Sequence, residues 1–238
     1  MLIKTFSSSV HGIRALKISI EVHITQGIRF FIVGLADHSI RESQQRIESA
    51  LINNGFEWPR FRVVINLAPA DIRKEGTHFD LPLAIGILAA TKQVRNSRLA
   101  DYLILGELSL DGSVMPVKGV LPMVLLAREE HFKGVIVPGE NEAEASVVDG
   151  IEVVAVSDLP GVVSFLNGIP IETPTENRKI ISIKGSDPYR VDFSEVKGQA
   201  AVKRAMLIAA AGSHNLILVG APGSGKSMMA RRLPTILI

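Results

Sequence analysis

Between residues 16 and 25 apolar and polar side chains alternate strictly. Leu16, Ile18, Ile20, Val22 and Ile24 fall on one side, Lys17, Ser19, Glu21 and His23 on the other. Successive side chains of an extended chain point to opposite faces, so this run predicts a strand with one buried face. Residues 29–35 form a second β-rich run, and Gly27 between the two predicts a hairpin. The period changes over residues 37–53, where Ile40, Ile47, Ala50 and Leu51 recur at helical spacing. Ser39 with Glu42 has the pattern of a capping box, and Asn53-Asn54-Gly55 supplies left-handed positions that stop the helix.

Further along, residues 61–67 read as a buried strand closed by Pro69, and residues 79–90 as an almost wholly apolar helix. A helix apolar all round must be covered on most sides. Residues 102–110 predict a strand, with Asp111-Gly112 turning it toward a short partner at Val114. Helix at 120–130, strand at 135–137, helix at 141–148 and strand at 153–156 follow, and Ser157 is expected to cap a short helix ending at Leu166. This alternation over residues 1–168 is that of an α/β domain. Residues 169–190 carry Pro170, Pro174 and Pro188 with several Thr and Ser, and Ile180, Ile181 and Ile183 as their one β-like run. They read as a linker. A second unit, 191–238, begins with a helix at 196–211 and a strand at 216–219, then a glycine loop and a helix over 228–237.

The glycine loop brings in chemistry. Gly220-Ala221-Pro222-Gly223-Ser224-Gly225-Lys226-Ser227 matches GxxxxGK[ST] without a gap. Glycines let consecutive backbone N–H groups converge on a phosphate. The lysine reaches the β- and γ-oxygens and the Ser227 hydroxyl ligates Mg²⁺, while the following helix aims its positive end at the phosphates. The order strand, loop, helix around the motif is the one such a site requires. ATP and Mg²⁺ are the expected ligands.

Composition narrows the alternatives. Of 238 residues 47% are hydrophobic and 21% charged, enough apolar material for a buried core and against disorder. A net charge of +2 excludes nucleic-acid binding by bulk charge alone. With no cysteine, disulfides, thiolate zinc sites and thiol catalysis are excluded together, and the six histidines are too scattered for a dedicated metal site. The longest apolar run, 83–90 broken by Gly86, is far short of a bilayer span, and the first ten residues hold one Lys and no cleavable apolar core. A cytoplasmic protein without a membrane partner is expected. Arg231 and Arg232 read as a solvated helix face, and Asp71, Arg73, Lys74 and Glu75 as a solvated charged loop. His78 could pair with Asp80, but neighbours this close in sequence do not face each other on a helix, and a capping role is expected instead.

Three segments carry a resemblance: residues 191–199 (VDFSEVKGQ), 203–212 (KRAMLIAAAG) and 214–220 (HNLILVG). With the loop that follows them they closely resemble the start of the magnesium-chelatase-like AAA+ ATPases, in the ComM/YifB branch associated with DNA branch migration in natural transformation. The similarity covers the whole chain. It implies an N-terminal Lon-protease-like α+β domain (1–168), a linker (169–190), and the start of a P-loop AAA+ α/β domain (191–238). It further implies ATP and Mg²⁺ as cofactors, Val196 and Gly198 beside the adenine, a homo-oligomeric ring and DNA as a possible partner. Lon proteolysis depends on a Ser–Lys dyad. Residues 74–80 resemble the serine-bearing loop with His78 at the serine position, and residues 116–127 resemble the lysine-bearing segment with Leu121 and Met123 at the lysine positions and Lys118 several residues early. A nucleophile without its base has little activity, so the domain reads as a retired protease scaffold. The family's acidic Walker B strand, sensor and arginine finger follow the loop by a long stretch, so residues 1–238 are expected to bind nucleotide without hydrolysing it. Two other classes stand beside this reading: a nucleotide-independent assembly or interaction module, and a Lon-like peptidase with an unrecognised dyad.

Overall fold

Strand β1 (Leu2–His11) and strand β2 (Arg14–Thr25) pair antiparallel around the turn at Gly12, with Leu2 opposite His23 and His11 opposite Arg14. A computed structural model describes residues 2–95, 97–170 and 192–236 of the chain. The chain divides into two compact units, Met1–Ile180 and Ile181–Ile238. The linker expected at 169–190, with its β-like run, lies almost wholly outside the described residues.

In the first unit the alternation of β2 is realised as expected: Ile18, Ile20 and Val22 are fully buried, and Leu16 sits at the more exposed end. The hairpin expected between residues 16–25 and 29–35 does not form. Strand β3 (Phe30–Val33) pairs instead in parallel with β4 (Arg62–Ala68), and β4 pairs antiparallel with β2. The partner of β2 on its other side is β1, which sequence reading passes over because its buried positions include Thr5, Ser7, Ser8 and Ser9 rather than aliphatic residues. With β5 (Tyr102–Ile104), β8 (Gly134–Pro138) and β9 (Glu152–Val156) added in parallel, the seven-stranded sheet runs β3-β4-β2-β1-β5-β8-β9. The short pair β6 (Glu107–Leu108) and β7 (Val114–Met115) stands apart. The single strand expected at 102–110 is therefore two, interrupted where Leu105 and Gly106 donate their amides to Ile136 and His78.

Helices cover both faces of the sheet. Helix α1 (His38–Asn53), α2 (Asp80–Ala90) and α5 (Leu159–Leu166) share one apolar cluster with Ile104, Ile136 and Val154. Helix α3 (Val120–Glu129) and α4 (Glu142–Ala145) contribute to a second cluster, with Leu103, Leu105, Val135 and Val137. Neighbouring strand residues thus feed opposite cores, as a pleated strand buried on both faces requires. Every residue of α2 is buried. It lies so close to the sheet that a Cβ on Gly86 would come within 2.7 Å of Val22 Cγ2.

The caps differ from expectation by one or two residues. Asp37, not Ser39, is the N-cap of α1: its carboxylate accepts from Ile40 N at 2.9 Å, and Ser39 Oγ donates to the same carboxylate oxygen. Asp158, not Ser157, caps α5 through Gly161 N at 2.7 Å. Asp and Ser are comparable N-caps, and a carboxylate gains in addition from the positive helix end. The helix expected at 141–148 is a 3-10 turn, Gly139–Asn141, leading into the four-residue α4.

In the second unit a 3-10 turn, Phe193–Glu195, precedes helix α6 (Ala200–Ala211), which begins four residues later than expected. Residues 216–219 form no strand; no neighbour offers them a ladder among the described residues. The helix expected over 228–237 is α7 (Lys226–Ala230) followed by a 3-10 turn, Leu233–Ile236. Pro234 lacks the amide that would bond Ala230, which ends the α-helical ladder there. Phe193, Val196, Met206 and Met229 make the small core of this unit.

Candidate functional site: the phosphate-type loop

Residues 220–227 form an exposed loop entering α7. Gly223 and Gly225 adopt φ of +80° and +85°, conformations that L side chains rarely take, so glycine at these two positions follows from the backbone path. Lys226 folds back across the loop. Its Nζ donates to Gly220 O at 2.8 Å, to Ala221 O at 2.7 Å and to Ser224 Oγ at 3.3 Å. The ammonium is thereby held against the loop that the motif assigns to phosphate. Ser227 is exposed one residue on, and Ala221, Pro222 and Ser224 are exposed on the loop itself.

Two further residues expected near a nucleotide lie in different settings. Val196 is 1% exposed as a whole residue, packed with Phe193, Met206 and Met229, so neither its side chain nor its backbone is open to a ligand in this structure. Gly198 has φ +68° and open space where a side chain would be. Met229 belongs to α7, so the small core joins the segment at Val196 to the helix that follows the loop.

Arg232 corrects the reading of Arg231 and Arg232 as one solvated face. Arg231 is exposed, but the Arg232 side chain is only 13% exposed. It donates to Asp192 O, to Met228 O and to Glu195 Oε2, the last at 2.6 Å. Together with Phe193 N donating to Thr235 Oγ1, it ties the end of α7 to the 3-10 turn. The motif pattern gives no signal for this tie, because an arginine that pairs across 37 residues looks like any other surface arginine in sequence.

In the first unit, the candidate His78–Asp80 pair is absent. His78 Nε2 lies 2.8 Å from Ser8 O, and Asp80 is bound by Arg46 through Nε at 2.7 Å and Nη2 at 3.0 Å. The capping role expected for His78 is also absent: no side chain caps the 3-10 turn Thr77–Phe79 or α2. Burial pushes the Asp80 carboxyl up from its ordinary value, and the Arg46 guanidinium opposes it. Lys74 departs from the solvated loop: it is fully buried and its ammonium donates to Pro69 O, with burial pushing its pKa down.

Comparison with known proteins decides the family. Residues 20–141 match the family described as subunit ChlI of Mg-chelatase, and residues 192–238 match magnesium chelatase, subunit ChlI. The chain belongs to the Mg-chelatase ChlI family. Among ChlI-family relatives, competence protein ComM of Haemophilus influenzae is 40% identical over 236 residues, 98% of this chain and 46% of its own length. YifB of Escherichia coli is 39% identical over 228 residues, 95% of this chain and 44% of its own. Lon protease 2 of Bacillus subtilis is 30% identical over 153 residues, 61% of this chain and 27% of its own, in keeping with a Lon-like α+β unit. The chain spans just under half the length of the ComM and YifB relatives it matches. Among its described residues no helix is long and apolar enough to cross a membrane.

Proposed function

We propose that residues 220–227 bind the phosphates of ATP, with Lys226 on the β- and γ-oxygens and Ser227 on Mg²⁺. Gly198 and the segment around Val196 lie beside the base. In this reading the chain is the nucleotide-binding portion of a ComM/YifB-like AAA+ ATPase that works as a homo-oligomeric ring on DNA in the cytoplasm, and the Lon-like unit does not cleave peptides. The name of the ComM relative, a competence protein, supports a role in DNA uptake or processing.

The observation that supports the reading best is Lys226 bridging the two carbonyls at the start of the loop. An incoming phosphate meets a positive charge already in place and a backbone already turned, so binding needs little reorganisation. Fluorescence titration with an N-methylanthraniloyl ATP analogue and Mg²⁺ tests it. Lys226→Ala is expected to weaken binding by on the order of 2 kcal/mol, about thirtyfold. Equal affinity in the two proteins would remove the assignment.

A further inference from the structure

The first unit holds a groove of about 920 Å³ where α1 and α2 end and the chain turns into β4. Phe56, Trp58, Arg60 and Phe61 line it from the connection between α1 and β4, and Lys92 and Gln93 from the residues just beyond α2. Its size is at the upper end for a ligand site. Arg60, Phe61 and Lys92 are exposed, so an extended molecule has access to it.

The run Phe56-Glu57-Trp58-Pro59-Arg60-Phe61-Arg62 interleaves aromatic and charged side chains. Gln93 fixes its first part: Nε2 donates to Glu57 O at 2.9 Å, and Oε1 accepts from Glu57 N at 2.8 Å. The side-chain amide pairs with the backbone as a neighbouring strand would. Trp58 lies against Phe30, with ring centroids 5.8 Å apart. Phe56 and Trp58 rest on the core yet are only half-buried, and Phe61 is 53% exposed. Aromatic surface is therefore held in place before any ligand arrives.

Charge narrows the choice of ligand. Arg29, Arg60, Arg62 and Lys92 are exposed, and none of them forms an ion pair among the described residues. Arg29 belongs to the same patch, since its carbonyl accepts from Val63 N beside Arg62. The Arg62 guanidinium sits over the Phe31 ring, 5.2 Å from its centroid. Against these cations Glu57 is the one carboxylate among the described residues lining the groove. An apolar peptide leaves the cations unanswered, and a bare polyanion leaves the aromatic faces in water. A DNA duplex keeps its bases stacked on each other and offers only phosphates here. A single strand supplies free base faces and phosphates at short intervals, in the alternation that the wall itself carries.

We propose that this groove holds a single strand of DNA, its bases stacked on Trp58 and Phe61 and its phosphates on Arg60 and Lys92. The inference rests on the reading that the protein works on DNA, and it gives that work a contact in the first unit which the phosphate loop does not require. Trp58 is the chain's only tryptophan, so its emission reports on this groove. The test is a titration of the full 238-residue chain, without nucleotide, by oligothymidylate. Anisotropy of a fluorescein-labelled strand gives affinity, and the unlabelled strand is expected to quench Trp58. Phe61→Ala is expected to weaken binding about tenfold and leave its salt dependence unchanged. Arg60→Ala is expected to weaken binding and to reduce the slope of log affinity against log salt by about 0.7. Both changes are at exposed side chains. Strand binding with Trp58 emission unchanged, or with both variants like the original, overturns the proposal and leaves the DNA reading standing. An equal response to duplex DNA, inorganic polyphosphate or an alternating Glu-Phe oligopeptide overturns it as well. Absence of binding removes the groove and leaves the DNA reading without a contact in this chain.

Discussion

Two apolar stretches of this chain end in opposite environments. Helix α2 buries all eleven of its residues, whereas in the stretch at 216–219 Ile217 is 84% and Val219 88% exposed. Hydrophobicity does not separate them: α2 is built largely of Leu, Ile and Ala, and residues 216–219 are Leu-Ile-Leu-Val. The difference lies in what surrounds them. The sheet gives α2 a broad face, and α1 lies beside it in the same cluster. Around residues 216–219 only Leu218 is partly taken into a cluster, one of four buried residues. Hydrophobicity states a demand for burial; topology decides whether it is met.

The largest test of this contrast is a pair of truncations. Leu83→Ala in α2 is expected to cost about 2–5 kcal/mol, because it removes fully buried methyl groups and leaves a cavity that the packed helix and sheet do not close. Ile217→Ala is expected to change stability by no more than about 0.5 kcal/mol, since that side chain is already in water. Denaturant unfolding of both variants checks the pair. Similar losses would show that residues 216–219 are buried in solution.

The next effect comes from a polar group inside the well-packed unit. Asp80 is fully buried and held by Arg46, whose side chain is 22% exposed. Arg46→Ala leaves that carboxylate without its cation and is expected to cost on the order of 3 kcal/mol at neutral pH. The pH dependence follows from the direction of the Asp80 shift. Burial raises its folded pKa above the unfolded value, so the folded state favours the protonated acid. That contribution is present at pH below the ordinary Asp range and is lost as pH rises through the folded pKa. Without Arg46 the folded pKa climbs further, so the variant's deficit should grow from acid toward neutral pH. Stability curves of both proteins between pH 3 and 7 measure this, and a deficit independent of pH would mean Arg46 acts through packing alone.

How much of this was legible in the sequence follows the same division. The period-two run of β2, the apolar α2 and the glycine turns at Gly223 and Gly225 were readable because each is a local pattern with one geometric meaning. β1 was not, because buried Thr5, Ser7, Ser8 and Ser9 look like surface in sequence. Thr5 is accommodated by donating to Pro82 O. The hairpin expected for β2 and β3 failed for a related reason: adjacency in sequence suggested pairing, but β4 took both neighbouring positions. Lys74 and Arg232 look solvated in sequence because a lysine or arginine reveals its partner only in three dimensions. At the candidate site the turns at Gly223 and Gly225 were legible in the sequence, while the tie that fixes the following helix was not.

That tie gives the smallest expected effect and the finest test of how independent the two units are. Arg232 reaches Asp192 O and Glu195 Oε2, bridging α7 to the turn at Phe193–Glu195. Glu195 is 49% exposed in its side chain, so water and salt screen the pair, and its loss should cost about 1 kcal/mol or less. In the first unit such a change would vanish into a large core. In the second, where four buried residues carry the packing, the same loss is a larger share of what holds α7 behind the loop. Arg232→Ala is therefore expected to speed amide hydrogen exchange in α7 and around Phe193 by about fivefold while exchange in α2 stays unchanged. It should also weaken nucleotide binding less than Lys226→Ala does, because Arg232 positions the helix and bonds nothing on the loop between Gly220 and Ser227. An equal slowing or speeding of exchange in both units would show that they unfold together, and the contrast between them would then lie in packing density and not in cooperativity.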